Sequence, residues 1–232
     1  MPSEVRTMLG KANGGGVVAF LNVTCPNSST ITIANGNITS TKTGTYAAFK
    51  LQRIGTWTVT ASYNGFTETT SVSVGAGQTQ NITMLNNIHI YNHNSYSAGF
   101  SGGWSGQYYD TFDQKWYSYD PISGDHVHAE TTGTRSVFKA TSNGSVNLTG
   151  IDYVRIGYSG GQDPGCIYRV QVVGTNGSTV LATSGDISEN RSYTTIDLDV
   201  RSINSAAKFQ IYAERSGYGY AKVDLYDIWL RS

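Results

Sequence analysis

Apolar residues recur at every second position through most of this chain, and that period is the one a β-strand with a single buried face requires. In Thr56-Trp57-Thr58-Val59-Thr60-Ala61-Ser62-Tyr63 the split is complete: Trp57, Val59, Ala61 and Tyr63 share one side, and Thr or Ser fills the other. Val17, Ala19, Leu21 and Val23 repeat the pattern, as do Ile31 and Ile33, then Ala47, Phe49 and Leu51, then Val72 and Val74, then Ile82 and Met84. Asn35-Gly36, Asn64-Gly65 and Gly75-Ala76-Gly77 fall between these runs. Residues that accept positive φ close tight hairpins, so the runs read as strands joined by turns. Six or seven short strands in about 70 residues predict a small immunoglobulin-like or prealbumin-like β-sandwich over 17–87.

The texture changes at Asn86-Asn87, because fourteen of the 16 tyrosines come after it. Alternation continues in Val154, Ile156 and Tyr158, in Tyr168, Val170 and Val172, in Ile196, Leu198 and Val200, and in Ala207, Phe209, Ile211 and Ala213. In the last run Ala221, Val223 and Leu225 are in phase, but Ile228 and Leu230 have the opposite parity. A β-bulge near Tyr226-Asp227 restores the phase. Longer, regularly spaced strands over 88–232 predict a jelly-roll β-sandwich, and the whole chain is expected to be all-β. Trp104 and Trp229 are assigned to its core, where sandwiches bury their large rings.

Charge excludes several function classes. Sixteen Lys and Arg cancel sixteen Asp and Glu, and charged residues make up 14% of the chain. A nucleic-acid partner needs clustered positive charge, so none is expected. No apolar run approaches the length of a membrane span, and residues 1–16, MPSEVRTMLGKANGGG, lack the apolar core of a secretory signal. That segment, ending in Gly14-Gly15-Gly16, is read as a leader that attaches the protein to a larger assembly. Cys25 and Cys166 lie in different halves and are expected to be free buried thiols, so that reduction changes nothing.

The stretch Gly16-Val-Val-Ala-Phe-Leu-Asn-Val-Thr-Cys-Pro, with Gly55-Thr-Trp-Thr-Val-Thr-Ala and Val72-Ser-Val-Gly-Ala-Gly-Gln-Thr, resembles the carboxypeptidase-regulatory or PEGA type of surface module. Ile90-Tyr91-Asn92, Gly102-Gly103-Trp104 and the ending Val223-Asp-Leu-Tyr-Asp-Ile-Trp-Leu resemble galactose-binding or carbohydrate-binding jelly rolls. The two in this order, after a short leader, resemble tail-associated and other virion proteins of phages and prophages. The resemblance implies an exposed virion component in many copies, with other virion proteins held through the leader and host-surface glycan held by the jelly roll.

Three constellations bear on chemistry. Gly99-Phe-Ser101-Gly-Gly103 and Gly157-Tyr-Ser159-Gly-Gly161 match G-x-S-x-G, but the flanks are strands rather than the helix that a nucleophile elbow needs. His126 and His128 stand at i and i+2 and point the same way from a strand. Jelly-roll metalloenzymes place a further Glu at a longer spacing than that of Glu130, so the pair reads as one solvated face, and a metal-dependent enzyme is the least favoured function. Asp110, Asp113, Asp120, Asp125 and Glu130 supply hard oxygens that suit a structural calcium ion in the same segment better than a catalytic carboxylate pair. Aromatic density carries the main expectation. Sugar C–H faces stack on rings while polar side chains take the hydroxyls, so Tyr108, Tyr109 and Trp116, with Tyr218 and Tyr220 from a later loop, are the candidate ligand-binding residues. The predicted function is a non-enzymatic glycan adhesin. The alternative is a capsid-decorating or tail protein whose rings make protein contacts.

Overall fold

The computed structural model describes residues 19–96, 100 and 102–232. The leader 1–16, Val17, and Gly99 and Ser101 of the first G-x-S-x-G match lie outside the described residues. No helix occurs among the described residues, as the all-β expectation requires.

Residues 19–83 form one five-stranded sheet from β1 (Ala19–Asn35), β2 (Ile38–Leu51), β3 (Gly55–Tyr63), β4 (Phe66–Val74) and β5 (Thr79–Thr83). The strands are fewer and longer than the turn signals suggest, because Ala19–Val23 and Ile31–Ile33 belong to one strand. The β1–β2 register shifts between Thr24 and Ser29, around Pro26, which has no N–H to give a ladder. Before the shift β1 lies between β2 and parallel β5, and after it between β2 and β3. Ala19, Leu21, Val23, Ile31 and Ile33 are all buried, so both halves of the strand face one core with Phe49, Trp57, Val59 and Phe66. Positive φ at Gly36, Asn64 and Gly65 closes two hairpins, whereas the turn at Gly75-Ala76-Gly77 leads into β5, which pairs parallel with β1.

The rest of the chain builds two seven-stranded sheets packed face to face. The front sheet contains β6 (Asn87–Asn92), β7 (Ser95–Tyr96), β10 (Ile122–Ser123), β11 (His126–Glu130), β14 (Tyr153–Gln162), β17 (Arg191–Asp199) and β19 (Ala221–Arg231). The back sheet contains β8 (Trp104–Asp110), β9 (Lys115–Tyr119), β12 (Arg135–Ser142), β13 (Val146–Asn147), β15 (Ile167–Gly174), β16 (Val180–Thr183) and β18 (Ala206–Glu214). Inward side chains such as Ile156, Tyr158, Tyr168, Val170, Phe209 and Leu225 are fully buried between them. Cys25 and Cys166 are buried and free.

The first sheet touches this sandwich at a loop. Tyr63 Oη donates to Thr149 O at 2.7 Å, and Asn27 Nδ2 donates to Gly150 O at 2.7 Å. Gly150 has φ +76°, and a Cβ there would lie 2.3 Å from Asn27 Oδ1. The contact therefore depends on glycine at this position.

Candidate functional site

Strand alternation gives each sheet of the sandwich an outward face, and the two faces carry different chemistry. On the front sheet β11 pairs β19 with His128 opposite Asp224 and Glu130 opposite Lys222. His126, His128 and Glu130 therefore point outward together with Lys222, Asp224 and Tyr226. The predicted bulge is present: against β14, Leu225 pairs Tyr158 and Asp227 pairs Gly157, which leaves Tyr226 as the extra residue. Tyr226 and Asp227 thus reach the same face although they are consecutive. The Tyr226 ring lies against His93, His126 and Tyr193. Strand β6 adds His89 and the turn after it adds His93, so all four histidines of the chain meet here.

Two buried carboxylates organise this face. Asp227, 4% exposed, accepts from Tyr193 Oη at 2.7 Å and lies 3.0 Å from His89 Nε2. Burial and that hydrogen bond push the Tyr193 phenol up to about 12. Asp224, 3% exposed, lies 2.6 Å from His128 Nδ1 and 3.1 Å from Lys222 Nζ. Burial works to raise its carboxyl, but His128 and Lys222 outweigh that and hold it below the usual carboxylate range. Asp125 at the rim bonds His93 Nδ1 at 2.9 Å and His126 Nδ1 at 3.1 Å. Beside Asp224 a cleft of about 410 Å³ is lined by Ser159, Asn190, Arg191, Tyr220 and Lys222. Glycine in β14 makes the room: a Cβ at Gly161, which lines the cleft, would meet Tyr220 Oη at 3.0 Å.

The back sheet's outward face is aromatic and amide-rich. Tyr109 pairs across strands with Trp116, and their rings are 5.5 Å apart. The neighbouring row runs Gln107, Lys139, Tyr212, Arg169 in successive strands. Lys139 Nζ sits 4.5 Å from the Trp116 ring centre, and the Arg169 guanidinium covers Tyr212 at 4.8 Å. The next row contains Thr141, Gln210 and Gln171, with Gln210 Nε2 donating to Thr141 Oγ1 at 2.7 Å. From Lys139 and Gln107 a groove of about 290 Å³ continues past Thr141, Asn143, Asn176 and Lys208.

The five predicted ligand-binding residues do not form one surface, which corrects the expectation. Tyr109 and Trp116 belong to the back face, and Trp116 is 48% exposed. Tyr108, next in sequence to Tyr109, points the other way, because side chains alternate along β8. Its ring stacks on Phe138 at 5.3 Å and Tyr117 at 5.4 Å. Tyr220 lines the front cleft, and Tyr218, fully exposed, belongs to the connection between β18 and β19. Trp229 also departs from the core assignment: beyond the bulge it stands on the outward face, stacked on His89 at 4.5 Å. Trp104 is in the core.

The acidic segment does not gather into a calcium-type oxygen cage. Asp110 accepts from Phe112 N and Thr134 Oγ1, Asp113 from Tyr117 Oη, and Asp120 from Ile122 N. Asp125 and Glu130 are turned to histidines instead. Gly157–Gly161 lies inside β14, and Ser159 Oγ is 3.4 Å from both Asp224 Oδ2 and Tyr226 Oη, so no nucleophile elbow exists there. Sequence reading missed Asp224 and Asp227. Their signal was present as two carboxylates set among Val223, Leu225 and Ile228, on either side of the parity break.

No protein family and no curated protein matches the chain in sequence. Among solved structures it is similar to a carbohydrate-binding module of the β-sandwich superfamily, with 13% identity, a TM-score of 0.33, and coverage of 88% of this chain and 86% of that one. A family 29 carbohydrate-binding module matches at 15% identity and TM-score 0.36, covering 62% of this chain and 90% of that one. The enzymatically active domain of tailspike protein 4 from bacteriophage CBA120 matches at 10% identity and TM-score 0.33, with 63% of this chain against 19% of that one. At such identities and scores, function has to be argued from this chain's own side chains.

Proposed function

We propose that the protein is a non-catalytic glycan-binding protein whose back face holds an extended sugar chain. The observation that carries this is the position of Lys139, which covers the Trp116 ring and also lines the polar groove, so that aromatic platform and groove are continuous. A pyranose ring stacks its C–H face on Trp116 and Tyr109, while Gln107, Lys139, Thr141 and Asn143 exchange hydrogen bonds with hydroxyls of the following units. The face is shallow and open, which suits a chain passing over it better than a ligand enclosed on all sides. On this face Arg169 is paired with Asp186 and Glu214 accepts from Tyr212, while Lys139 and Lys208 line the groove as donors to hydroxyls.

The setting we propose is an exposed virion surface, supported by the sequence resemblance of the two modules. Weak single sites in many copies on one particle then add up by avidity, and residues 1–16 serve attachment to the other virion proteins. A glycan array with the full chain tests the binding claim: wild-type protein retains immobilised cell-wall polysaccharide, and Trp116→Ala loses it. Self-association of wild type in light scattering, abolished by the same substitution and without glycan retention, supports the reading in which these rings make protein contacts.

A further inference from the structure

We propose that His126, His128 and Asp224 on the front face form a binding site for a divalent transition cation of the zinc type. The site is on the opposite side of the sandwich from the proposed glycan platform and does not depend on it.

Backbone geometry brings the three together. His126 and His128 stand two residues apart on β11, and Asp224 is the direct cross-strand partner of His128 on β19. Asp224 Oδ1 is 2.6 Å from His128 Nδ1 and 3.4 Å from His126 Nε2, and ligand atoms of the three residues lie within 4.8 Å of one another. Bonds of 2.0–2.2 Å in a tetrahedral zinc site place ligand atoms about 3.4 Å apart. Small rotations about the side-chain torsions take the present triangle to that size.

The second observation concerns the far side of each imidazole. His126 holds Asp125 Oδ1 through Nδ1 at 3.1 Å, and His128 holds Glu130 Oε2 through Nε2 at 3.2 Å. A carboxylate on the remote nitrogen is what fixes the tautomer of a metal-bound histidine, leaving a lone pair on the nitrogen that faces the ion. Both near nitrogens here face the same carboxylate oxygen. Lys222 occupies Asp224 Oδ2, which leaves Oδ1 turned toward the histidines. Around them Asp125, Glu130, Asp224 and Asp227 outnumber Lys222, and Arg191 is paired with Glu189, so with neutral histidines the face carries excess negative charge suited to a cation.

Two imidazoles with one carboxylate select borderline metals such as Zn²⁺ or Co²⁺ over Ca²⁺ and Mg²⁺, which prefer all-oxygen shells. Three protein ligands leave a fourth position, and the cleft lined by Ser159, Asn190, Arg191 and Tyr220 begins at Asp224. Water or an oxygen of a bound ligand fits there.

The test is titration of the full chain with cobalt chloride, followed by visible absorption, and with zinc chloride by calorimetry. One equivalent of Co²⁺ per chain is expected to give the intense d–d bands of a tetrahedral site, displaced by zinc. His126→Ala and His128→Ala should abolish them, and Glu130→Gln should weaken affinity about 10- to 100-fold by loosening His128. His89→Ala, on the same face but bonded to Asp227 outside the triad, should leave affinity within about twofold. Because Asp224→Asn can disturb the fold, zinc is also added during thermal melting: it raises the wild-type midpoint and leaves that of His126→Ala unchanged. No stoichiometric binding by wild type, or binding retained in both His126→Ala and His128→Ala, overturns the proposal. Equal losses in His89→Ala and His128→Ala overturn it as well, since they show unspecific coordination by the histidine-rich face.

Discussion

The two outward faces of the sandwich are made by the same rule and end with opposite chemistry. Each is the alternate set of side chains left over when a strand buries its other set. On the front face the leftover positions are histidines and carboxylates, held in a dense network around two buried aspartates. On the back face they are aromatic rings, amides and long cations, joined by stacking and single hydrogen bonds. The difference lies in desolvation. A carboxylate that is only 3–4% exposed must keep its partners, so the front face is rigid and each member depends on the others. Trp116 and Lys139 owe little to their neighbours, so the back face is free to exchange water for a ligand.

The contrast can be broken by experiment, and the largest effect expected is in the layer the faces share. Phe209, fully buried between the sheets, should cost about 3–5 kcal/mol when truncated to Ala, measured by denaturant unfolding. Loss below 1 kcal/mol there contradicts the packed interior on which both faces rest. Next comes Asp227→Ala on the front face. It strands the Tyr193 hydroxyl and His89 without their acceptor, so a loss of about 1–3 kcal/mol is expected. Lys139→Ala on the back face should stay within about 0.5 kcal/mol, and equal losses at the two positions erase the distinction between a coupled and an uncoupled face.

Trp116→Ala sharpens the comparison from the functional side. About half exposed, it should cost at most about 1 kcal/mol of stability, while polysaccharide retention falls at least about tenfold. Tyr108→Ala is its internal control: the ring packs inward, so stability should drop more than binding. The smallest effect is expected from removing the first sheet altogether. We propose a domain boundary near Asn86-Asn87, since side chains at Asn27, Tyr63 and Asn64 reach across to Thr149 and Gly150 while each part has its own buried set. Residues 88–232 alone should melt within a few degrees (about 2–4 °C) of the full chain by circular dichroism. A fragment without near-ultraviolet signal argues against the cut.

Period-two alternation determined the strands, the all-β class and even the bulge at Tyr226-Asp227, because those depend on which of two sides a residue occupies. It also separated Tyr108 from Tyr109 in principle, although aromatic density read without parity merged them. What the sequence could not determine was which strands become neighbours. Asp224 is 96 residues from His128 and Asp227 is 138 from His89, and nothing local joins them. Sheet order makes those pairs by backbone hydrogen bonds, which are indifferent to the side chains they align. The histidine face and the Trp116–Lys139 platform were therefore decided by tertiary structure alone, whereas the outward turn of Trp229 follows from its place between Ile228 and Leu230.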